Sequence, residues 1–176
     1  VEVETAPKSG NAEVDALIRE ARGQLDQIAA ANDAIADPAL SRQIEDIEAT
    51  CRQILQRLEE QPNMLSQLRT FLRYYLPATL KLLNARAALE AEVNAGGSPQ
   101  IAARIAKAVG EVQSAFHKQL DALNEFRFIN LESEMDVLAD MLKSDGLIDE
   151  DEQKDDDPFA DVLKNRNDRN TPMGAH

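Results

Sequence analysis

Hydrophobic residues recur at steps of three and four along most of this chain, which is the spacing of one face of an α-helix. The densest such run extends from Leu68 to Leu83 and includes both tyrosines of the protein. The hydrophobic residues of this run cover most of the circumference of the predicted helix. Such a helix requires neighbours on several sides. The run is therefore the predicted centre of the fold.

Two helices are predicted before this run. Asn11 has the side chain of a helix N-cap and precedes a hydrophobic stripe that reaches Ile35. The pair Asp37-Pro38 ends that helix and can start the next one, with the aspartate as cap and the proline in the first turn. The second helix has an unbroken spacing of four and three residues, which predicts a coiled-coil seam. The seam positions are Leu40, Ile44, Ile47, Cys51, Ile54 and Leu58.

The central helix is predicted over roughly residues 64–95, after a break at residues 61–63. The clearest boundary follows at Gly96-Gly97-Ser98-Pro99, because glycine suits the C-terminal end of a helix and proline suits the first turn of the next. A fourth helix comes after this boundary. Asn130 is expected to cap a short fifth helix that ends at Gly146.

These elements predict an all-α protein. Short connections make consecutive helices antiparallel, so the expected architecture is an elongated antiparallel up-and-down bundle of three to four long helices plus a short C-terminal helix. The expected domain limits are a disordered N-terminus over residues 1–10, a helical bundle domain over 11–147 and an acidic disordered tail over 148–176. The tail is too poor in apolar residues to fold by itself.

Composition agrees with this architecture and narrows the function. The formal net charge of the 176 residues is −13, which repels nucleic-acid phosphates, so no nucleic-acid partner is expected. One cysteine excludes an internal disulfide. The cysteine is compatible with a reducing compartment, no apolar run is long enough to span a membrane and no signal-peptide pattern is present, so a cytoplasmic location is expected. Since Val1 is not an initiator methionine, a membrane segment missing from this chain stays an open alternative.

Two short motifs invite a chemical interpretation. Cys51 and Arg57 have the Cys-x5-Arg spacing of cysteine phosphatases, but the residues between them favour a helix and the cysteine occupies a seam position. A buried hydrophobic residue is therefore favoured. Glu132, Asp136 and Asp140 share one helix face and could contribute to a metal site, although a solvated acidic face is favoured. No metal or other cofactor is expected.

A third motif resembles part of a calcium-binding loop. Gly146 and Glu152 fit the middle and the end of an EF-hand loop. Two positions that normally supply oxygen ligands are Met141 and Lys143. A helix end followed by an acidic tail is therefore the favoured interpretation.

Pro77 is the sharper feature, because a proline inside a helix removes one N–H bond and clashes with the carbonyl one turn earlier. Thr79 can donate from its hydroxyl to the carbonyl of Tyr75 and ease the resulting bend. The kink is expected either to serve packing or to shape a functional groove whose cations could attract an anion. The residues of that groove would be Arg69, Arg73, Tyr74, Tyr75, Pro77 and Lys81.

The same run resembles a family signature. Residues 71–83, Phe-Leu-Arg-Tyr-Tyr-Leu-Pro-Ala-Thr-Leu-Lys-Leu-Leu, resemble the hallmark segment of the XpaC-type, 5-bromo-4-chloroindolyl phosphate hydrolysis family. Residues 115–120 and 136–147 agree with the family in order and distance. The resemblance implies a bacterial protein associated with TelA-type tellurite-resistance proteins. The family name implies hydrolysis of an indolyl phosphate, and no catalytic residue is carried over from the family.

The expected function is a non-catalytic helical scaffold or interaction module of an XpaC-like bacterial protein, associated with envelope or tellurite stress. A TelA-type protein is the expected partner. A phosphate-ester hydrolase that acts on indolyl phosphates through the groove residues is the alternative. A third hypothesis is a coiled-coil oligomer that assembles on membranes, with a membrane tether outside this chain.

Overall fold

A computed structural model of the chain describes residues 5–148, which are mostly helical and contain no β-strand. The prediction of an all-α protein is therefore confirmed. A 3₁₀ turn at Pro62–Met64 precedes the third helix, and a π-helical turn at Phe71–Tyr75 joins the third helix to the fourth. The helices are α1 (Ala12–Asp33), α2 (Pro38–Glu60), α3 (Leu65–Thr70), α4 (Leu76–Ala88), α5 (Glu90–Asn94) and α6 (Pro99–Ser144).

The first two helices begin at the predicted caps. The Asn11 side chain accepts hydrogen bonds from the backbone N–H groups of Glu13 at 3.0 Å and Val14 at 3.3 Å. Asp37 caps α2 in the same way, with Pro38 in the first turn, where its missing N–H costs nothing. Both predictions are confirmed.

All six seam positions of α2 are buried, and α2 packs against α1. Ion pairs flank this contact: Arg22 of α1 lies 3.1 Å from Glu59, and Arg52 of α2 lies 3.9 Å from Asp26. Apolar burial is the main stabilising term here, because exposed or half-exposed ion pairs contribute about 1 kcal/mol or less.

The predicted central helix over residues 64–95 is interrupted twice, at the π turn and again at Leu89. Near the second interruption, the buried side chain of Arg86 forms an ion pair with Glu90. The Glu90 carboxylate also accepts a hydrogen bond from the backbone N–H of Ala36, at 2.7 Å. These contacts tie the loop between α1 and α2 to the end of α4.

The separate short C-terminal helix is a wrong prediction, since α6 runs without interruption from Pro99 to Ser144. Asn130 lies inside this helix, where its capping tendency does not break the backbone hydrogen bonds of its neighbours. No glycine or proline lies between Glu111 and Asp145, so nothing in that stretch forces a helix end. The predicted end at Gly146 is confirmed, with a φ of 70° at that glycine.

Internal contacts divide the chain into two units, with the boundary between Arg127 and Phe128. The first unit contains the core, in which α1, α2, α3, α4 and the first part of α6 bury their hydrophobic stripes. The second unit includes the remaining turns of α6. The expected domain limits stay predictions. Most of the two predicted terminal segments, residues 1–4 and 149–176, lies outside the described residues.

Residues 5–10 have no regular secondary structure, but they are held by hydrogen bonds. The Lys8 N–H donates to Glu59 at 3.0 Å, and the Ser9 N–H donates to Asp15 at 2.9 Å. Within residues 5–148, no helix combines the length and the hydropathy that a membrane crossing requires.

Candidate functional site

The backbone between α3 and α4 forms the π-helical turn Phe71–Tyr75, in which the Leu76 N–H donates to the Phe71 carbonyl five residues earlier. Pro77 lies immediately after this turn and has no N–H to donate to an α-helical ladder. The Thr79 hydroxyl donates to the Tyr75 carbonyl at 2.7 Å, as predicted. A π turn is an uncommon distortion that is frequent at functional sites.

A groove with a volume of about 270 Å³ opens where the π turn and α4 face α6. Its walls come from two parts of the sequence that lie far apart along the chain. The lining residues are Phe71, Tyr75, Ala78, Thr79, Leu82, Val112, Ala115, Phe116 and Gln119.

Two aromatic rings support the groove. The ring centroids of Phe71 and Phe116 are 4.7 Å apart and the ring planes meet at 64°, an edge-to-face contact. Both side chains are almost completely buried. The rings therefore fix the distance between the two walls of the groove and give it an apolar floor.

Few polar groups face this groove. The Thr79 hydroxyl is already engaged with the Tyr75 carbonyl, and Gln119 contributes an amide at the side. Tyr75 is 57% exposed, so its side chain lies at the rim. This lining suits an apolar group held by burial, with the tyrosine and the amide available for one or two directional contacts.

The residues predicted to form a functional groove do not all lie around this cavity. Tyr75 lines it, and Pro77 is half-buried in the first turn of α4. Arg69 instead pairs with Glu13 of α1, with Nη1 2.7 Å from Oε1. The hydrogen bond from Arg69 lowers the pKa of Glu13, and the charge of Arg73 lowers it further. Arg69 is thus directed to the start of α1, and Arg73 is close enough for its charge to act there.

The other two predicted residues are also separate from the cavity. Tyr74 is 68% exposed and Lys81 is exposed, and neither lines it. The wall from α6 was not assigned to the groove from the sequence. The signal for it was present, since residues 115–120 are one of the segments that carry the family resemblance.

His117, which follows Phe116 in α6 but does not line the groove, pairs with a carboxylate of α2. Its Nε2 lies 2.5 Å from Oδ2 of Asp46, and the side-chain amide of Gln113 donates to the same oxygen at 2.7 Å. The hydrogen bond from Gln113, followed by that from His117, lowers the pKa of Asp46. Both side chains of the pair are partly exposed, at 49% for His117 and 38% for Asp46.

The phosphatase-like motif is not arranged for nucleophilic chemistry. Cys51 is fully buried among the seam residues, and this burial raises the pKa of its thiol to about 12. Arg57 pairs with Glu60 at 3.5 Å instead. A thiol that stays protonated is a poor nucleophile, which supports the interpretation of Cys51 as a buried hydrophobic residue.

The acidic residues near the end of α6 are the other candidate metal site of the sequence. Glu132, Asp136 and Asp140 are exposed. Among residues 5–148, no three His, Cys, Asp or Glu side chains come close enough together to hold a metal ion. Glu152 of the calcium-loop resemblance lies outside the described residues.

Comparison with protein families gives one match. A family model described as 5-bromo-4-chloroindolyl phosphate hydrolysis protein matches residues 8–138. The match contains the whole of the segments 71–83 and 115–120, which form the two walls of the groove. Neither the curated proteins nor the solved structures contain a significant match.

Proposed function

Because the chain belongs to the 5-bromo-4-chloroindolyl phosphate hydrolysis protein family, we propose that it is a non-catalytic helical interaction module whose groove between α4 and α6 binds an apolar group of a partner protein. One observation carries this proposal. Two of the three segments that resemble the family, residues 71–83 and 115–120, meet at this groove, and most of the side chains they contribute to it are apolar. Burial of apolar groups drives association and requires no reactive residue.

The proposed architecture of the module is an antiparallel up-and-down bundle. Two residue pairs support opposite directions for α1 and α2, because the later residue of α1 faces the earlier residue of α2. These pairs are Arg22 with Glu59 and Asp26 with Arg52. Such a bundle keeps the two groove walls on neighbouring helices that are held by a shared core.

The proposed partner is a TelA-type protein, and the proposed setting is envelope or tellurite stress in the bacterial cytoplasm. Both rest on the family resemblance. Residues 5–148 contribute a groove that can take an apolar side chain from such a partner. A membrane tether outside this chain and an oligomeric state are compatible with the same module.

The partner proposal is tested by titrating the purified TelA-type protein of the same organism into this chain and measuring heat. Ala78 and Ala115 are exposed at the groove, so Ala78→Glu or Ala115→Glu places a charge on its walls. Each variant is expected to weaken binding by at least about tenfold, since about 1.4 kcal/mol corresponds to that factor. Ala103→Glu, an exposed alanine of α6 that does not line the groove, is the matched control.

If the Ala78→Glu variant binds the TelA-type protein as tightly as the control does, the contact is not at the groove. Circular dichroism of each variant checks that the helices are intact. Absence of any heat with wild-type chain would remove the TelA-type protein as partner.

A phosphate-ester hydrolase acting on indolyl phosphates is the second candidate, and the pair of His117 and Asp46 favours it. A histidine oriented by a carboxylate is a common general base, and this one follows Phe116 in the sequence, although it does not line the groove itself. An apolar groove also suits an indole ring. In this candidate, Arg69, Arg73 or Lys81 would have to turn toward the bound phosphate, away from the positions they occupy here.

A further inference from the structure

The end of α6 exposes a hydrophobic face in residues 128–148. Large hydrophobic residues that lie exposed are concentrated there among the described residues, and a patch of this kind marks an interaction surface. The exposed ones in this stretch are Phe128, Ile129, Leu131, Met135, Val137, Leu138, Met141 and Leu147.

Part of this face has coiled-coil spacing. We name it the terminal seam, and its positions alternate by three and four residues, which places them in one row along the helix. Leu131, Met135 and Leu138 are 49%, 56% and 57% exposed, so the row has no covering helix within the described residues. The terminal seam consists of Phe128, Leu131, Met135, Leu138 and Leu142.

The charges around the terminal seam are acidic. Residues 128–148 hold five carboxylates and one lysine, a formal charge of −4. Glu132 and Glu134 occupy positions that flank a coiled-coil seam, as does Arg127 beside Phe128, and charges at such positions select the partner helix. A partner helix must therefore match an apolar row and tolerate, or complement, negative charge on its borders.

From this combination we infer that the terminal seam binds a basic amphipathic helix of another protein, which rests on the proposed function of this chain as an interaction module. Lysine or arginine at the flanking positions of such a helix would meet Glu132 and Glu134. A second copy of this chain would bring two such faces together, each with a formal charge of −4 in residues 128–148. The chain's own apolar segment Phe159–Leu163 is a poor occupant, because the seven carboxylates of residues 149–157 precede it and are repelled by the acidic face. An anionic membrane is a poor occupant too, because it repels the carboxylates beside the terminal seam.

The test uses two synthetic helical peptides of about 21 residues, three heptads, with leucine at the seam positions. One carries lysine and the other glutamate at the flanking positions. Fluorescence anisotropy with the full chain is expected to show at least about tenfold tighter binding of the basic peptide, and weakening of that binding between about 50 and 300 mM salt. Equal affinity for the two peptides would overturn the inference.

Matched variants locate the contact. The double change Leu131→Gln with Leu138→Gln is expected to lower affinity for the basic peptide by at least about tenfold. Ile129→Gln with Val137→Gln alters two similarly exposed residues off the seam and is expected to change it by less than about threefold. If both pairs weaken binding equally, the seam is not the site.

Charge reversal gives an independent check. Glu132→Lys with Glu134→Lys should reverse the preference between the peptides, whereas Asp136→Lys with Asp140→Lys changes the net charge equally but not at the flanking positions. Sedimentation equilibrium of the chain alone measures self-association. If the chain forms a dimer that the double change Leu131→Gln with Leu138→Gln abolishes, the occupant of the terminal seam is a second copy and the inference is wrong. Changes in the terminal seam are not expected to alter binding at the groove. Failure of this inference can therefore be distinguished from failure of the proposed function.

Discussion

The ring of Phe71, in the π turn, packs edge to face on the ring of Phe116 in α6, with centroids 4.7 Å apart. The two residues belong to two of the three segments that resemble the family, residues 71–83 and 115–120. Their contact brings these segments together, and the groove lies directly above it. The groove is therefore a product of the same residues that carry the family resemblance.

Removing either ring should destabilise the protein. Phe116→Ala leaves a cavity in a buried site, and we expect the free energy of unfolding to fall by about 3–5 kcal/mol. Phe128→Ala is the matched control in the same helix, because that ring is 65% exposed, and it should change stability by less than about 0.5 kcal/mol. Urea unfolding followed by circular dichroism measures both, and equal losses would contradict the burial described for Phe116.

The hydroxyl of Thr79 should stabilise the π turn. Thr79→Val keeps the shape of the side chain but leaves the Tyr75 carbonyl without this donor, so we expect a loss of about 0.5–1.5 kcal/mol. Thr70→Val, at an exposed position before the turn, serves as control. A neutral Thr79→Val would show that the bond to Tyr75 contributes nothing to folding.

Local patterns predicted most of the helices, and the reason is visible at particular residues. Asn11 and Asp37 determine the helix starts through side-chain caps that need only neighbouring residues. The α2 seam was predicted because its spacing reflects one buried face. Asn130 failed as a cap because no glycine or proline lies near it to end the preceding helix, and cap preference alone is a weak signal.

The groove could be predicted only in part. Pro77 marked one wall, and the bond from Thr79 to Tyr75 follows from their spacing. Pro77 predicts a distortion of the helix but not its type, so residue types alone do not indicate the π turn. The pairing of Phe71 with Phe116 requires knowledge of which helices are neighbours, which helical periodicity does not provide.

Acid should destabilise the contact between the α1–α2 loop and α4. The hydrogen bond from the Ala36 N–H, followed by the interaction with Arg86, lowers the pKa of Glu90 in the folded protein. The resulting stability is complete above the usual carboxylate pKa of about 4.3 and is lost as the pH falls through the lower folded value. Unfolding free energies between about pH 6 and pH 3 should therefore decline less in Glu90→Gln than in wild type.

Glu90→Gln should also be less stable than wild type at neutral pH. We expect its free energy of unfolding to be lower by about 1.5–3 kcal/mol, because Arg86 loses a charged partner in a buried position. Glu92→Gln, an exposed residue of the same short helix, should stay within about 0.5 kcal/mol of wild type at neutral pH. Identical acid profiles for wild type and Glu90→Gln would contradict the role given to this carboxylate.

Cys51 should be chemically silent until the protein unfolds. Because burial raises the pKa of its thiol to about 12, a chromogenic disulfide reagent at about pH 8 should react at least about 100-fold more slowly than with an exposed thiol. The exposed reference is Ser114→Cys in a Cys51→Ala background. Fast reaction of Cys51 in native buffer would show that the α2 seam is open.

Alkali provides a second measurement on the same thiol. The unfolded chain ionises Cys51 near its usual pKa of about 8.5, whereas the folded chain does not until about pH 12, so stability should fall as the pH rises between these values. Cys51→Ala should lack this contribution. Unfolding free energies of the two proteins between about pH 8 and pH 10 give the difference.

The central claim is that the groove formed by Phe71 and Phe116 is a contact surface rather than a reaction site. The most direct test is the hydrolysis of 5-bromo-4-chloroindolyl phosphate by the purified chain, with and without added divalent metal, beside His117→Ala, Arg73→Ala and the exposed control Arg19→Ala. The account predicts the same rate for all four proteins, equal to that of the buffer. Turnover by wild type and Arg19→Ala that is lost in His117→Ala or Arg73→Ala would contradict it.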